Sequence, residues 1–157
     1  TLARAFVQCG FSAVRFNFRG VGASAGAFDH GVGEVADLLG VVDQVAPAGM
    51  PLALAGFSFG AFTACQAVAT LWPRRALDSI VLVGTAASRF EVAPLPPEAH
   101  ERTLVVHGEQ DDTVPLAAVM DWARPQMLPV TVIPGVEHFF HGQLTLLKHL
   151  VVRHLNA

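Results

Sequence analysis

This sequence of 157 residues lacks most features that mark membrane, nucleic-acid-binding or repeat proteins. No apolar run reaches the roughly 18 residues that a membrane-spanning helix needs. The net charge is −3 and basic residues form no block, so we expect neither nucleic acid nor a membrane surface as a partner. There is no internal repeat and no low-complexity tract. A single globular domain over residues 1–157 is the simplest interpretation.

Cysteine is scarce as well. The two cysteines, Cys9 and Cys65, lie far apart, and neither belongs to a CxxC pair or another metal-ligand spacing. Disulfide frameworks and structural zinc sites are therefore not expected. This use of cysteine favours a reduced protein in the cytoplasm.

Apolar residues, in contrast, are abundant: 52% of the residues are hydrophobic and the mean hydropathy is +0.47. Parallel sheets covered on both faces have strands that are apolar throughout, which accounts for such a composition. Short apolar runs predict strands at residues 12–18, 52–55, 80–83, 104–106 and 130–133. Helical periodicity predicts helices near residues 1–7, 35–46, 60–71, 115–124 and 144–155, and residues 89–102 are predicted to form a loop. The alternation predicts an α/β fold with a mostly parallel central sheet flanked by helices on both faces.

The sharpest chemical pattern is Gly56-Phe57-Ser58-Phe59-Gly60, a G-x-S-x-G motif. It follows a predicted strand and opens a predicted helix, the setting in which a nucleophilic serine stands on a tight, strained turn. Glycine suits this turn because backbone and helix approach too closely for a Cβ atom. The simpler alternative is a glycine-rich turn whose serine caps the helix. The residues downstream favour the nucleophile.

A serine hydroxyl needs a base to take its proton, and the base needs an orienting acid. Asp111 follows the predicted strand at residues 104–106, and His138 follows the one at residues 130–133. Both therefore lie at the sheet edge where open α/β sheets build their sites. Asp112 is a rival for the acid. His107 and His141 are rivals for the base, although a structural role is favoured for each: His107 as a hydrogen-bonded core histidine and His141 at the start of the last helix.

Three further stretches carry a family resemblance. Residues 107–115 fill the pattern H-G-x-x-D-x-x-V-P, residues 19–24 fill R-G-x-G-x-S, and residues 137–142 read EHFFHG. Together with the G-x-S-x-G turn, the sequence resembles the α/β-hydrolase superfamily, and within it a compact, lidless bacterial subgroup related to dienelactone hydrolases and serine esterases. The resemblance implies Ser58 as nucleophile, Asp111 as acid and His138 as base, with the backbone N–H of Phe59 in the oxyanion hole. It implies a small acyl substrate and no cofactor.

Two other chemistries are weaker interpretations of the same residues. His107, Asp111, Asp112, His138 and His141 could converge on a metal ion, but the H-E-x-x-H form is absent. The glycines at 20, 22 and 26 are spaced G-x-G-x-x-x-G, which departs from the dinucleotide-binding pattern.

The sequence also departs from the family at its beginning. Residues 1–7 already have a helical pattern, and nothing upstream supplies the family's first strands or the loop that carries its second oxyanion donor. We therefore expect an α/β-hydrolase domain without its first strands. The alternative to an active serine hydrolase is a catalytically impaired hydrolase-fold fragment that serves as a binding or interaction module.

Overall fold

The structure is a computed structural model that describes all residues from 1 to 157. Five α-helices and four β-strands alternate along most of the chain. The helices are α1 Leu2–Gln8, α2 Val32–Val45, α3 Phe59–Leu71, α4 Leu116–Ala123 and α5 Leu144–Leu155, and the strands are β1 Ala53–Phe57, β2 Ser79–Val83, β3 Thr103–Gly108 and β4 Thr131–Ile133. Two 3₁₀ helices complete the set, Pro97–Arg102 and Arg124–Gln126. No helix is long and apolar enough to cross a membrane.

The four strands form one parallel sheet in the order β1-β2-β3-β4. Every residue of β2, the sequence SIVLV, is buried, as expected for an inner strand of a sheet that is covered on both faces. All strands run in the same direction, so their carboxyl ends lie along one edge. The α/β fold predicted from the apolar runs is confirmed.

Alternate side chains of the inner strand β2 enter two separate apolar cores. Ile80 and Leu82 of β2 pack with α2, α3 and α4 on one face. Val81 and Val83 pack with α1 and α5 on the other. Because successive side chains of a strand point to opposite faces, those of β2 are shared between the two cores. At about 25 cal/mol per Å² of apolar surface removed from water, these two layers are the main favourable contribution to folding.

Most element bounds differ from the predicted ones by only a few residues, and the last helix starts and ends where its apolar stripe predicts. The predicted loop at residues 89–102 is partly wrong, because its second half, Pro97–Arg102, forms a 3₁₀ helix. Proline at its first position fits, since a helix leaves that N–H unpaired in any case.

The predicted strand at residues 12–18 is wrong. This stretch is extended, but its residues 12–17 make no backbone–backbone hydrogen bond, and Val14 and Phe16 are exposed. Strand β1 pairs only with β2, so residues 12–18 are not bonded to the other edge of β1. Residues that favour strands do so by fitting a paired, half-buried surface. Because no strand is hydrogen-bonded to it, this stretch is extended but does not form a strand, despite its strand-favouring residues.

Both cysteines are free. Cys65 is fully buried in α3, and burial raises the pKa of its thiol, because the apolar surroundings disfavour the thiolate. This residue therefore belongs to the core and is not reactive.

His154 connects α5 to the amino ends of β2 and β3, at the edge of the sheet opposite to the predicted site. Its Nε2 lies 3.2 Å from the carbonyl oxygen of Arg102 and 3.1 Å from Oγ of Ser79. The carbonyl can only accept, so Nε2 carries a proton. Burial lowers the pKa of His154 below its ordinary value of 6.5, since the half-buried ring is harder to charge.

This lowered pKa predicts a pH-dependent stability. The unfolded chain binds a proton at His154 more readily than the folded one, so the free energy of unfolding should fall as the pH drops from about 7 to about 5. His154→Gln, which keeps a donor for the Arg102 carbonyl, should remove part of that slope. Urea unfolding at a series of pH values measures it, with His149→Gln, exposed on the same helix, as the matched control. Equal slopes in wild type and His154→Gln would contradict the assignment.

Candidate active site

Ser58 stands on a tight turn between β1 and α3. Its φ of 54° and ψ of −113° lie in a region that residues with a side chain rarely adopt. The turn also requires Gly56, because a Cβ atom there would overlap the carbonyl group of Gly60. A hydrogen bond of 2.8 Å from the Ser58 amide to the Val83 carbonyl ties the turn to β2. Strand, turn and helix therefore have the arrangement that the motif predicts.

Asp111 lies in the loop after β3 and is buried. Its Oδ1 accepts hydrogen bonds from the amides of Thr113 at 3.0 Å and Val114 at 2.7 Å. Its Oδ2 remains for a side-chain donor. Asp112, the sequence-level rival, is exposed and accepts no hydrogen bond.

His138 lies in the turn after β4 and connects the other two residues. Its Nδ1 is 2.6 Å from Oδ2 of Asp111, and its Nε2 is 3.0 Å from Oγ of Ser58. The carboxylate accepts from Nδ1–H, so the neutral imidazole leaves Nε2 as an acceptor for the serine proton. The side chains of Ser58, His138 and Asp111 thus form one hydrogen-bonded array, in the order that nucleophilic catalysis requires.

The turn that carries His138 is held by its neighbour Glu137. The carboxylate accepts from the amides of Phe139 at 2.8 Å and His141 at 2.7 Å. These two bonds, of which the one from the His141 amide has the larger effect, hold the pKa of the partly exposed Glu137 carboxyl below its usual range. The turn is strained at Phe140, which has a φ of 56° and a buried ring. Glu137 anchors this turn, a role that sequence reasoning missed although the residue directly precedes the histidine.

His141 is exposed, with its Nδ1 3.0 Å from Oε1 of Glu137, and it does not reach the array. His107 is fully buried behind Asp111. Its Nε2 lies 2.8 Å from the Val114 carbonyl oxygen and 3.4 Å from Oδ2 of Asp111. Neither of these two rivals for the base makes a hydrogen bond with the serine hydroxyl, whereas His138 does.

Gly84, directly after β2, leaves room for the imidazole. A Cβ atom at this position would lie 3.2 Å from Cε1 of His138, and the φ of 57° is itself unfavourable for other residues. No motif in the sequence singles out this glycine. Only the packing of β2 against the turn after β4 reveals it.

Aromatic rings flank the serine on both sides. The Phe57 ring lies 4.9 Å from the His138 ring and 6.0 Å from the Phe139 ring. On the other side, the Phe59 ring contacts those of Phe18 and Phe90, at 5.0 and 5.2 Å. The backbone N–H of Phe59, at the start of α3, donates to no protein acceptor.

Arg19, at the start of the glycine-containing loop, is engaged within the protein. Its Nε and Nη2 each lie 2.7 Å from a carboxylate oxygen of Asp37 on α2. The ion pair raises the pKa of Arg19 and lowers that of Asp37, in each case mainly through the side-chain hydrogen bonds. The arginine thus fastens the loop to α2.

The chain is similar to known proteins in both its sequence and its fold. The family model Hydrolase_4, described as serine aminopeptidase, S33, matches residues 1–103. An uncharacterized protein of Rickettsia prowazekii (strain Madrid E) is 48% identical over 65 residues, which cover 40% of this chain and 27% of that protein. The match thus spans well under a third of that relative.

Solved structures match almost the whole chain. An α/β serine hydrolase without a lid from Xanthomonas campestris is 36% identical with a TM-score of 0.83, over 99% of this chain and 70% of its own. An α/β serine hydrolase homologue from Coxiella burnetii is 37% identical with a TM-score of 0.76, over 98% of this chain and 74% of its own. With these matches and its parallel sheet, the chain belongs to the α/β serine hydrolase superfamily, in the lidless bacterial subgroup.

Proposed function

We propose that this protein cleaves a small ester, thioester or related acyl compound through an acyl-serine intermediate. The observation that carries the proposal is the continuous array Ser58–His138–Asp111, with contacts of 3.0 and 2.6 Å at the carboxyl ends of parallel strands. Membership of the serine hydrolase superfamily supports it. The array supports the reaction class, and a small apolar cleft that borders Phe57 supports a small acyl group.

In the first half-reaction, Oγ of Ser58 attacks the substrate carbonyl carbon while Nε2 of His138 takes the hydroxyl proton. Asp111 holds the imidazole in the required tautomer and stabilises the imidazolium. His138 then returns the proton to the leaving alkoxide or thiolate, and the acyl group stays on the serine. In the second half-reaction, a water gives a proton to His138 and attacks the acyl carbon. The bond from that carbon to Oγ of Ser58 then breaks, His138 passes its proton to Oγ, and the carboxylic acid leaves.

The negative charge of the tetrahedral intermediate needs hydrogen-bond donors. The free N–H of Phe59 is one candidate, because it is the first amide after the nucleophile and it has no protein acceptor. The start of α3 adds the positive end of a helix dipole. Removal of one such donor typically costs a serine hydrolase about 10²–10³ in kcat.

An apolar cleft borders Phe57 and Phe139, the chain neighbours of Ser58 and His138, and we propose that it takes the acyl group. It has a volume of about 260 Å³, and one of its walls is formed by the first two residues, Thr1 and Leu2. Thr1 is its only polar lining residue; the other hydrophobic ones are Phe57, Val83, Phe139, Phe140, Leu144 and Leu147. Pockets that bury drug-sized ligands have about 300–1,000 Å³, so this cleft fits a small acyl chain better than a large one.

The nucleophile is tested by covalent labelling with a fluorophosphonate probe. We expect the probe to modify Ser58, and Ser58→Ala to abolish labelling and reduce ester hydrolysis by about 10³-fold or more, with an unchanged melting temperature. Ser88→Ala, which removes an exposed serine, is the matched control. An adduct elsewhere with Ser58 intact would overturn the assignment. Absence of any adduct would favour a binding module that only retains the fold.

The two adjacent aspartates are separated by paired amide substitutions. Asp111→Asn places an amide against Nδ1 of His138 and favours the wrong tautomer, so kcat should fall by about 10³–10⁴-fold. Asp112→Asn, at an exposed position without hydrogen bonds, should cost less than about tenfold. Hydrolysis of a p-nitrophenyl ester measures both variants. A larger loss in Asp112→Asn would contradict Asp111 as the orienting acid.

The acyl cleft is tested by filling it. Leu144→Trp should lower kcat/KM for a p-nitrophenyl hexanoate about tenfold or more relative to the acetate, because the longer chain loses its apolar space. Leu146→Trp is the control, since Leu146 has similar exposure on the same helix but does not line the cleft. If the two variants show the same chain-length profile, the acyl group binds elsewhere.

A further inference from the structure

The buried histidine behind the array has an unusual set of contacts. His107 ends β3, its side chain is fully buried, and its Nδ1 has no hydrogen-bond partner. Its Nε2 lies 2.8 Å from the Val114 carbonyl oxygen and 3.4 Å from Oδ2 of Asp111. A carbonyl oxygen only accepts, so Nε2 carries the proton and Nδ1 is a bare acceptor.

A buried polar atom without a partner costs free energy, and an apolar side chain of similar size would avoid that cost. Packing alone therefore does not account for a histidine at this position. What an apolar residue could not supply is the N–H at Nε2. The explanation must lie with the groups that this N–H faces, which are the Val114 carbonyl and the Asp111 carboxylate.

These two groups belong to one closed ring of contacts. The Val114 amide donates to Oδ1 of Asp111 at 2.7 Å, and the Val114 carbonyl accepts from His107 at the end of β3. The imidazole thus fixes the distal end of the Asp111–Val114 turn to the strand. The same Nε2 lies 3.4 Å from Oδ2, the oxygen that accepts from His138 at 2.6 Å, so its positive N–H group is close to that oxygen. At 3.4 Å this second contact is electrostatic and is not a hydrogen bond, so the hydrogen bond to the Val114 carbonyl is the main link.

We propose that His107 is a positioning residue for the hydrolytic reaction: through Val114 and Oδ2, its Nε2–H holds the Asp111 carboxylate in the single orientation that aims Oδ2 at His138. This inference rests on the proposed function, because it assigns His107 a role within the same site. His107 does not touch the serine and takes no proton during turnover.

Two substitutions separate positioning from packing. His107→Leu removes the N–H and leaves the Val114 carbonyl without this donor, so we expect kcat to fall about tenfold or more at a temperature where the variant is still folded, while KM is maintained. His107→Gln keeps an amide N–H that can reach the Val114 carbonyl, and it should recover most of kcat. If kcat and melting temperature fall together in both variants, or if His107→Leu keeps full kcat, the role is structural and the proposal is overturned.

A double-mutant cycle gives a second test that does not depend on the stability of one variant. In the Asp111→Asn background there is no carboxylate to position, so His107→Gln and His107→Leu should each change kcat less than about twofold. Full multiplication of the two single effects would overturn the proposal.

Proton NMR makes the test independent of turnover. The proton shared by His138 Nδ1 and Asp111 gives a low-field resonance, identified by its loss in Asp111→Asn. We expect it to shift or broaden in His107→Leu and to persist in His107→Gln. An unchanged resonance in His107→Leu would overturn the positioning role. If instead the resonance responds as expected but no ester is cleaved and Ser58 is not labelled, the proposed function fails while the positioning of Asp111 holds.

Discussion

The buried carboxylate of Asp111 is the group on which the geometry of the site depends. A charge removed from water must be compensated by hydrogen bonds, and both oxygens are engaged, Oδ1 by two amides of its own loop and Oδ2 by His138. The loop after β3 and the turn after β4 are thereby held in one relative position. Displacement of either segment would leave the buried carboxylate without one of its donors. Because that costs free energy, it opposes the displacement.

The parallel sheet makes this contact possible. Ser58 and His138 are 80 positions apart in the chain, and Asp111 and His138 are 27 apart, yet each follows a strand of the same sheet. Because the carboxyl ends of parallel strands share one edge, the segments that follow β1, β3 and β4 all begin at that edge and can meet there. The two apolar layers that cover the sheet keep the strands in register, so core packing indirectly sets the distances in the array.

Much of this could be predicted from the sequence, because the signals are local. Apolar runs closed by glycine or proline identify the inner strands, and the stripe of α5 identifies its bounds. The G-x-S-x-G pattern selects Ser58, and the H-G-x-x-D pattern favours Asp111 but leaves Asp112 as a rival, since tight turns after strands need particular residues at particular spacings. The anchoring of the His138 turn by Glu137 and the space left by Gly84 could not be predicted, because they depend on contacts between loops distant in the chain.

The sequence by itself determined the α/β alternation, the turn that carries the serine and the loops that supply the acid and the base. Only the tertiary structure decided that residues 12–18 form no strand, that Asp111 and not Asp112 meets the histidine, and that His107 stands behind the carboxylate. The physical reason is the same in each case. Local propensity and spacing set the conformation of a segment, whereas hydrogen-bond partners from other segments decide whether an extended stretch becomes a strand and which of two adjacent carboxylates is buried.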